Sequence, residues 1–573
     1  VNKALLTEKH SFINDTIFRF KSTLLMCKRG IRNAIAPIKK HPKGAQLQEA
    51  PVIASSESAL WNPSDNKENW ILTAGKIENL RIASKQLHSI EVKANQSFSF
   101  WKQIGNPNFG KGYVVGREVR EGCIVPTVAG GLCQLSNALY DAALKANFEI
   151  LERHKHTKVI KGSLAEQDRD ATVKWNYVDL QFRAPFDFRI EIELTAQQLI
   201  VTYKSLHISN ETNDIPKQSR ATSILNDCYS CGNLACYKNS DTIAQKQEQS
   251  LTTYILDDRW PEFNDYIARQ TQPTDYFIVP LKKNAFIKTQ RYVWSAAQAE
   301  RTIATPLAAF KRALLLRLQK KSNVFELSLK LDEKLSKAMA KRIPLSTTHL
   351  VISQNLLPFI AETGVLGGRT YEVLMTRFPM EKLHHRLNFA FAQHQESLTL
   401  NDFRAPQTLI DKENKALNKA QRIITPHIEI AAFFNNKATV LHWKLPKLTK
   451  SATIGKKILF PASAVGRKGA YELLRLAQEL RLELVIAGQA IENNGFWKEV
   501  RTTPFNGNLE EIGLILYPTY IEHQPRLLLK AIAMGIPVIT TTACGIPASE
   551  NVKVLAIGDY EGLKASLIMN YKL

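Results

Sequence analysis

A pair of glycines running into a helix-period stripe constrains this chain more than any other stretch. Within residues 130–146, Gly130 and Gly131 precede Leu135, Ala138, Leu139, Ala142, Ala143 and Ala146, which recur at i, i+3, i+4, i+7, i+8 and i+11. Such a stripe buries one face of a helix on a sheet or on another helix. Cys133 falls in the first turn, where unpaired N–H groups and the positive end of the helix dipole favour a thiolate. The position equally suits a buried cysteine at a tightly packed joint. Asn147 is placed to end the helix, 148–153 reads as a strand, His154 and His156 follow, and Asp170 opens a second strand reading at 171–175. Cys133, His156 and Asp170 therefore come in an order that suits nucleophile, base and orienter. Merely solvated or hydrogen-bonded histidines give the same pattern.

Papain-like and transglutaminase-like folds use that order, which is a fold-level analogy. A closer resemblance rests on Phe98-Ser-Phe, Gly112-Tyr-Val-Val-Gly, Gly130-Gly-Leu-Cys-Gln-Leu-Ser, Leu139-Tyr, Glu152-Arg-His-Lys-His, Asp170-Ala-Thr-Val and Asp179-Leu-Gln-Phe. In order and spacing these are similar to the VanW family, named for an accessory gene of vancomycin-resistance clusters. The resemblance covers about residues 70–205 and implies a domain of helices and antiparallel sheet without naming its reaction.

With 573 residues the chain exceeds one core, and about three or four globular units are expected. An odd total of seven cysteines argues against a disulfide framework and for a reducing compartment. The net charge of +23 fits nucleic acid, an anionic membrane surface or an acidic substrate. No aromatic-rich basic motif or zinc-finger spacing supports nucleic acid. No apolar run reaches the ~18 residues of a membrane span, and the apolar core at 24–27 is too short for a secretory signal. A cytoplasmic protein, peripheral at the inner membrane face, is the expectation. Residues 1–41 form a basic amphipathic segment that either lies on an anionic leaflet or docks on its own protein, and 42–69 reads as a linker.

A cysteine-rich stretch, 206–250, follows the VanW-like region. Cys228, Cys231 and Cys236 stand in a C-x2-C-x4-C spacing that suits thiolate ligation of zinc or an iron–sulfur cluster. A redox dithiol of Cys228 and Cys231, or plain structural cysteines, also fits. Residues 251–445 alternate short apolar runs (276–281, 349–353, 371–376, 422–425, 438–441) with helical stretches (296–318, 380–395, 407–420), as buried parallel strands and covering helices do. Residues 446–573 repeat the pattern, so two Rossmann-like domains with a ligand cleft at their strand ends are expected.

Phe460-Pro, Gly466-Arg-Lys-Gly-Ala-Tyr-Glu-Leu-Leu, Leu484-Val-Ile-Ala-Gly, Glu522-His-Gln-Pro and Lys530-Ala-Ile-Ala-Met-Gly-Ile-Pro-Val-Ile-Thr then stand in sequence. They resemble the donor half of retaining, glycogen-synthase-like glycosyltransferases of the GT-B fold. That resemblance implies a nucleotide-diphosphate sugar as donor, with Arg467 and Lys468 holding the diphosphate and Glu522 facing the sugar. It also implies a second glutamate where this chain has Lys530, and an ammonium cannot accept hydrogen bonds from a ribose diol. Lys530 either meets a phosphate or pairs with Glu522.

The leading expectation is a VanW-like domain joined to a retaining hexosyltransferase that acts on an envelope glycan, glycolipid or peptidoglycan precursor. Cys133-dependent acyl or peptide chemistry on a cell-wall precursor is the alternative. A non-catalytic scaffold with a degenerate donor site is the third reading.

Overall fold

The computed structural model describes residues 12–35, 38–61, 67–120, 123–156, 163–207, 251–282, 290–297, 300–318, 324–447 and 455–570. They fall into two units: Val1–Ser250 with Pro344–Thr348 and Gly364–Arg369, and Leu251–Ile343 with His349–Thr363 and Thr370–Leu573.

The first unit contains α1 (Phe12–Ile35), β1 (Val52–Ala59), α2 (Lys67–Leu87), β2 (Ile90–Val92), β3 (Ser97–Ser99) and α3 (Phe100–Ile104). There follow β4 (Val115–Arg120), β5 (Cys123–Val128), α4 (Leu132–Lys145), β6 (Glu149–Glu152), β7 (Gln181–Arg183), β8 (Phe188–Leu194) and β9 (Gln198–Lys204). An antiparallel sheet runs β1-β9-β8-β2, and a smaller one runs β3-β7-β6. Period-2 alternation builds the larger sheet: Phe188, Ile190 and Ile192 enter the core, and Glu193 faces solvent. On this sheet α4 lays Leu135, Ala138, Leu139, Ala142 and Ala143, all wholly buried. Each such leucine contributes about 2 kcal/mol. The Tyr203 hydroxyl donates to the Leu139 carbonyl at 2.8 Å, tying the helix to β9.

Gly131 is what lets α4 start here. Its φ is +99°, and a side chain at this position would run into Lys76. Gly131→Ala is therefore expected to lower stability by about 1–3 kcal/mol, read as a lower midpoint in thermal unfolding. An unchanged midpoint would mean that the turn can relax.

Two expectations for this half need correction. The 42–69 linker contains β1, an edge strand paired antiparallel with β9. Its small residues Ala54 and Ser56 are the inward-facing ones, so the strand carries little apolar signal. Residues 171–175 are not a strand: side chains and one backbone bond hold the first two residues, and Lys174 bridges back to Val178. Ala171 N–H donates to Asn137 Oδ1 at 2.7 Å, Ser136 Oγ donates to the Ala171 carbonyl at 2.5 Å, and Thr172 N–H donates to the His154 carbonyl at 2.9 Å. Within the 1–41 segment, α1 is docked on its own unit through Arg29, which pairs with Glu152 and Asp179. No helix among the described residues is long and apolar enough to cross a membrane.

The second unit opens with β10 (Thr252–Ile255), α5 (Pro261–Gln270), β11 (Tyr276–Val279), β12 (Thr302–Ala304), α6 (Pro306–Leu318), α7 (Val324–Ala340) and β13 (His349–Ser353). Next come α8 (Leu357–Glu362), β14 (Thr370–Leu374), α9 (Met380–Gln393), α10 (Gln407–Lys419), β15 (Arg422–Thr425), α11 (Ile428–Phe434) and β16 (Ala438–Val440). All seven strands are parallel, in the order β12-β11-β10-β13-β14-β15-β16. The helical reading of 296–318 was too long at its start: Thr302–Ala304 pairs with β11, and Pro306 opens the helix behind it.

The chain then forms β17 (Lys457–Phe460), α12 (Ala470–Leu480), β18 (Glu483–Ile486), β19 (Arg501–Pro504), β20 (Ile512–Tyr517), α13 (Arg526–Ala533), β21 (Val538–Thr541), β22 (Val552–Leu555) and α14 (Tyr560–Asn570). These strands are also all parallel, in the order β19-β18-β17-β20-β21-β22. Numbered within the domain this is 3-2-1-4-5-6, with the order reversing between β17 and β20. Two parallel α/β domains in succession are what the GT-B resemblance implies.

Candidate functional site

Two constellations emerge, one in each unit. In the first, α4 starts at Leu132 with Gly131 as its cap and no side chain satisfying the first amides. Cys133 is thus in the opening turn and half-buried. Its sulfur lies 3.6 Å from Thr172 Oγ1 and 3.7 Å from the Val173 carbonyl, within electrostatic reach of His156. His156 Nδ1 stands 2.6 Å from Asp170 Oδ1, and the His156 backbone N–H donates to Asp170 Oδ2 at 2.5 Å. Asp170 is wholly buried. Arg153 fixes the segment by donating to the Asp170 carbonyl at 2.7 Å.

The thiol thus neighbours a hydrogen-bonded imidazole–carboxylate pair. Burial opposes ionisation of Cys133, but the hydrogen bond and charge of His156, with Val173 and Thr172, outweigh it and lower the thiol's pKa. Burial likewise opposes the imidazolium, and Asp170 and Cys133 overcome it, raising His156 to about 10. The arrangement favours a thiolate–imidazolium pair. His154 lies apart, exposed and 3.3 Å from Glu152.

In the second unit, Arg467, Lys468 and Glu522 follow the carboxyl ends of β17 and β20, on either side of the order reversal. The Lys468 ammonium donates to Glu522 Oε2 at 2.9 Å and to the Ile521 carbonyl at 3.0 Å. The Tyr517 hydroxyl donates to the same Glu522 oxygen at 2.5 Å. Glu522 Oε1 accepts the N–H groups of His523 and Gln524, each at 2.8 Å. Burial would raise this carboxyl, but Lys468, Tyr517 and the backbone donors lower it to about 2. Arg467 stacks on Phe403 with 4.5 Å to the ring centroid, and its carbonyl accepts the N–H groups of Tyr520 and Ile521. The ammonium paired with Glu522 is Lys468, not Lys530, which lies exposed on α13.

Histidines that sequence reasoning passed over complete this crevice. His427, following β15 of the first sheet, stands 3.0 Å from the Ala543 carbonyl and 3.3 Å from that of Glu522. The carboxyl ends of the two parallel sheets therefore meet. Burial, the Lys468 charge and His427 push His523 well below the usual imidazole range, and its Nε2 is buried without a hydrogen-bond partner among the described residues. His523 was visible inside the Glu522-His-Gln-Pro motif. Only the fold puts His427 near it.

Cys228, Cys231 and Cys236 lie outside the described residues. Among the described residues, no group of three or more His, Cys, Asp or Glu side chains is placed to hold a metal ion.

Residues 75–206 match the family model described as "VanW like protein". The chain carries a VanW-like domain. Over 142 residues it is 30% identical to the uncharacterized protein YoaR of Bacillus subtilis (strain 168), covering 24% of this chain and 46% of YoaR. The vancomycin B-type resistance protein VanW of Enterococcus faecalis (strain ATCC 700802 / V583) is 28% identical over 149 residues, covering 25% and 53%. The chain thus spans about half the length of the curated relatives it matches, and does so through the VanW-like region. Among solved structures, the lipopolysaccharide outer core galactosyltransferase WaaB in its apo form is 11% identical, with a TM-score of 0.35, over 56% of this chain and 90% of WaaB. Sucrose-phosphate synthase from Thermosynechococcus elongatus is 13% identical, also with a TM-score of 0.35 and the same coverages.

Proposed function

We propose that the second unit is a retaining glycosyltransferase module. It takes a hexosyl group from a nucleotide-diphosphate sugar and passes it to an envelope glycan, glycolipid or peptidoglycan-precursor acceptor. The observation that carries this reading is the position of Arg467, Lys468 and Glu522 at the reversal between β17 and β20, facing the strand ends of the other parallel sheet. Ligands of open α/β sheets bind in that crevice. As the sugar bond breaks, negative charge grows on the leaving diphosphate, and the Arg467 guanidinium, the Lys468 ammonium and the first amides of α12 are donors suited to it. Glu522, ionised and fixed by its hydrogen bonds, can accept from a sugar hydroxyl. Lys530, exposed just over one turn into α13, can meet a phosphate but cannot replace a carboxylate at a ribose diol. Calorimetric titration of the intact chain with a panel of nucleotide-diphosphate sugars tests the proposal, and failure to bind any of them overturns it.

A second activity is supported by the row of Cys133, His156 and Asp170 in the VanW-like domain, namely acyl or peptide chemistry on a cell-wall precursor. The thiolate would attack a carbonyl carbon, and the imidazolium would pass its proton to the departing amine, leaving a thioester for water to cleave. The exposed Phe20, Leu24, Leu25 and Ile31 on α1, interspersed with Lys21, Lys28 and Arg32, support placement on an anionic membrane surface. For Cys228, Cys231 and Cys236, elemental analysis of protein purified without oxygen is expected to show bound zinc or iron. Folded, metal-free protein would rule that site out.

A further inference from the structure

The first unit also holds a cavity of about 220 Å³ whose lining includes Ser99, Trp101, Trp175, Asn176, Tyr177 and Asp179. Trp101 and Trp175 meet edge to face, with centroids 5.5 Å apart. Trp175 is two residues along the chain from Val173, whose carbonyl faces Cys133. One end of the cavity is acidic. Asp179 is buried and held by the Ser99 hydroxyl at 2.6 Å and the Trp101 N–H at 3.1 Å. Glu152 is joined to it by the Asp179 N–H at 3.2 Å.

The arginines that offset this pair are not part of the VanW-like domain: Arg32 of α1 reaches Glu152 at 3.8 Å from an exposed position, and Arg29 is the buried one. Arg29 of α1 places Nη1 at 2.7 and 2.8 Å from the two Glu152 oxygens and Nη2 at 3.0 Å from Asp179 Oδ2. Its side chain is 9% exposed. The carboxylates fall inside residues 75–206, the stretch matching the VanW model, whereas Arg29 lies outside it. A buried carboxylate pair without a cation is strongly unfavourable. The site therefore selects a cationic group, and in this chain a neighbouring helix supplies one. Lys102, the cavity's other lining cation, is exposed.

We propose that this cavity is a binding site for a peptide bearing an ammonium or guanidinium side chain, and that Arg29 occupies the subsite of that cation as an internal stand-in. The aliphatic stem of the peptide side chain would lie along Trp101 and Trp175, as long cationic side chains do on aromatic faces. The inference deepens the acyl-transfer reading, but its test does not depend on thiol chemistry.

The full chain, with Arg29→Ala and Arg29→Gln versions, is titrated by calorimetry with the dipeptide alanyl-lysine and, as its uncharged counterpart, alanyl-norleucine. Both variants are expected to bind alanyl-lysine at least roughly tenfold more tightly than the parent, with no gain for alanyl-norleucine. Adding Asp179→Asn should remove the gain, and Cys133→Ser should leave it, so a failed thiol mechanism and a failed cation site are read separately. Should either variant lose its cooperative unfolding, alanyl-lysine in excess is expected to restore it by mass action. Equal binding of the two dipeptides, no gain over the parent in folded variants, or no rescue of unfolded ones would overturn the proposal.

Discussion

Replacing Arg467 and Lys468 together by alanine is expected to remove binding of the nucleotide-diphosphate donor, a loss of roughly 2–5 kcal/mol for two charge-assisted phosphate contacts. Calorimetry on the intact chain resolves such a loss, and unchanged affinity after both substitutions would show that the donor does not use this crevice. The two single variants should differ. Arg467→Ala removes a guanidinium stacked on Phe403 and should weaken donor binding while sparing the fold. Lys468→Ala also strips the ammonium from Glu522, leaving a largely buried carboxylate with only Tyr517 and two backbone donors. It should therefore lower the unfolding midpoint as well. The sign with pH follows from Glu522, whose folded pKa of about 2 lies below its unfolded value. Its stabilisation is present above the unfolded value of about 4.3 and is lost as pH falls toward 2. The stability cost of Lys468→Ala should accordingly be largest near neutrality and shrink in acid.

What could be read in the sequence follows the range of the interactions involved. Helix α4 and strands β8 and β9 carry their burial in local periodicity, so Leu135, Leu139, Phe188 and Ile190 announced their faces. Strand β1 did not, because Ala54 and Ser56 face inward through smallness rather than hydrophobicity. Residues 171–175 read as a strand because an extended backbone needs partners, and a sequence does not show that Asn137 and Ser136 of α4 supply them. Cys133, His156 and Asp170 were legible as residue types in a chemically sensible order at element ends. The pairing of Lys468 with Glu522 was not, since it arises where β17 and β20 become neighbours across 54 positions of chain. The same holds for Arg29, which meets Asp179 across 150 positions. Lys530 was drawn into the site by its spacing from Glu522. On α13 it points to solvent instead, because in an eight-residue amphipathic helix Leu528, Leu529 and Ala531 take the buried face.

Cys133 should react with iodoacetamide with an apparent pKa below the ordinary thiol value of about 8.5, and His156→Ala should raise that pKa. The argument is one of opposing effects. Burial alone would hold the thiol protonated, and the hydrogen bond and charge of His156 reverse it. Without the imidazolium only burial and the weaker Thr172 and Val173 contacts remain, so alkylation near pH 7 should slow by up to roughly tenfold for each pKa unit regained. Asp170→Asn should act in the same direction by removing the charge that holds His156 protonated. The stability linkage has a definite sign: the folded pKa of His156, about 10, lies above its unfolded value. Its contribution is complete below the unfolded value of about 6.5 and disappears as pH rises through 10. Asp170→Asn should thus cost most stability below neutrality and little in strong base. Exposed Cys27 would compete for the reagent, so the measurement belongs in a chain with Cys27, Cys123, Cys228, Cys231 and Cys236 changed to serine. Buried Cys544, whose burial raises its pKa, should remain unmodified until the protein unfolds. If Cys133 behaves like Cys544, or reacts at the same rate without His156, the row of three residues is a packing arrangement and the domain's chemistry lies elsewhere.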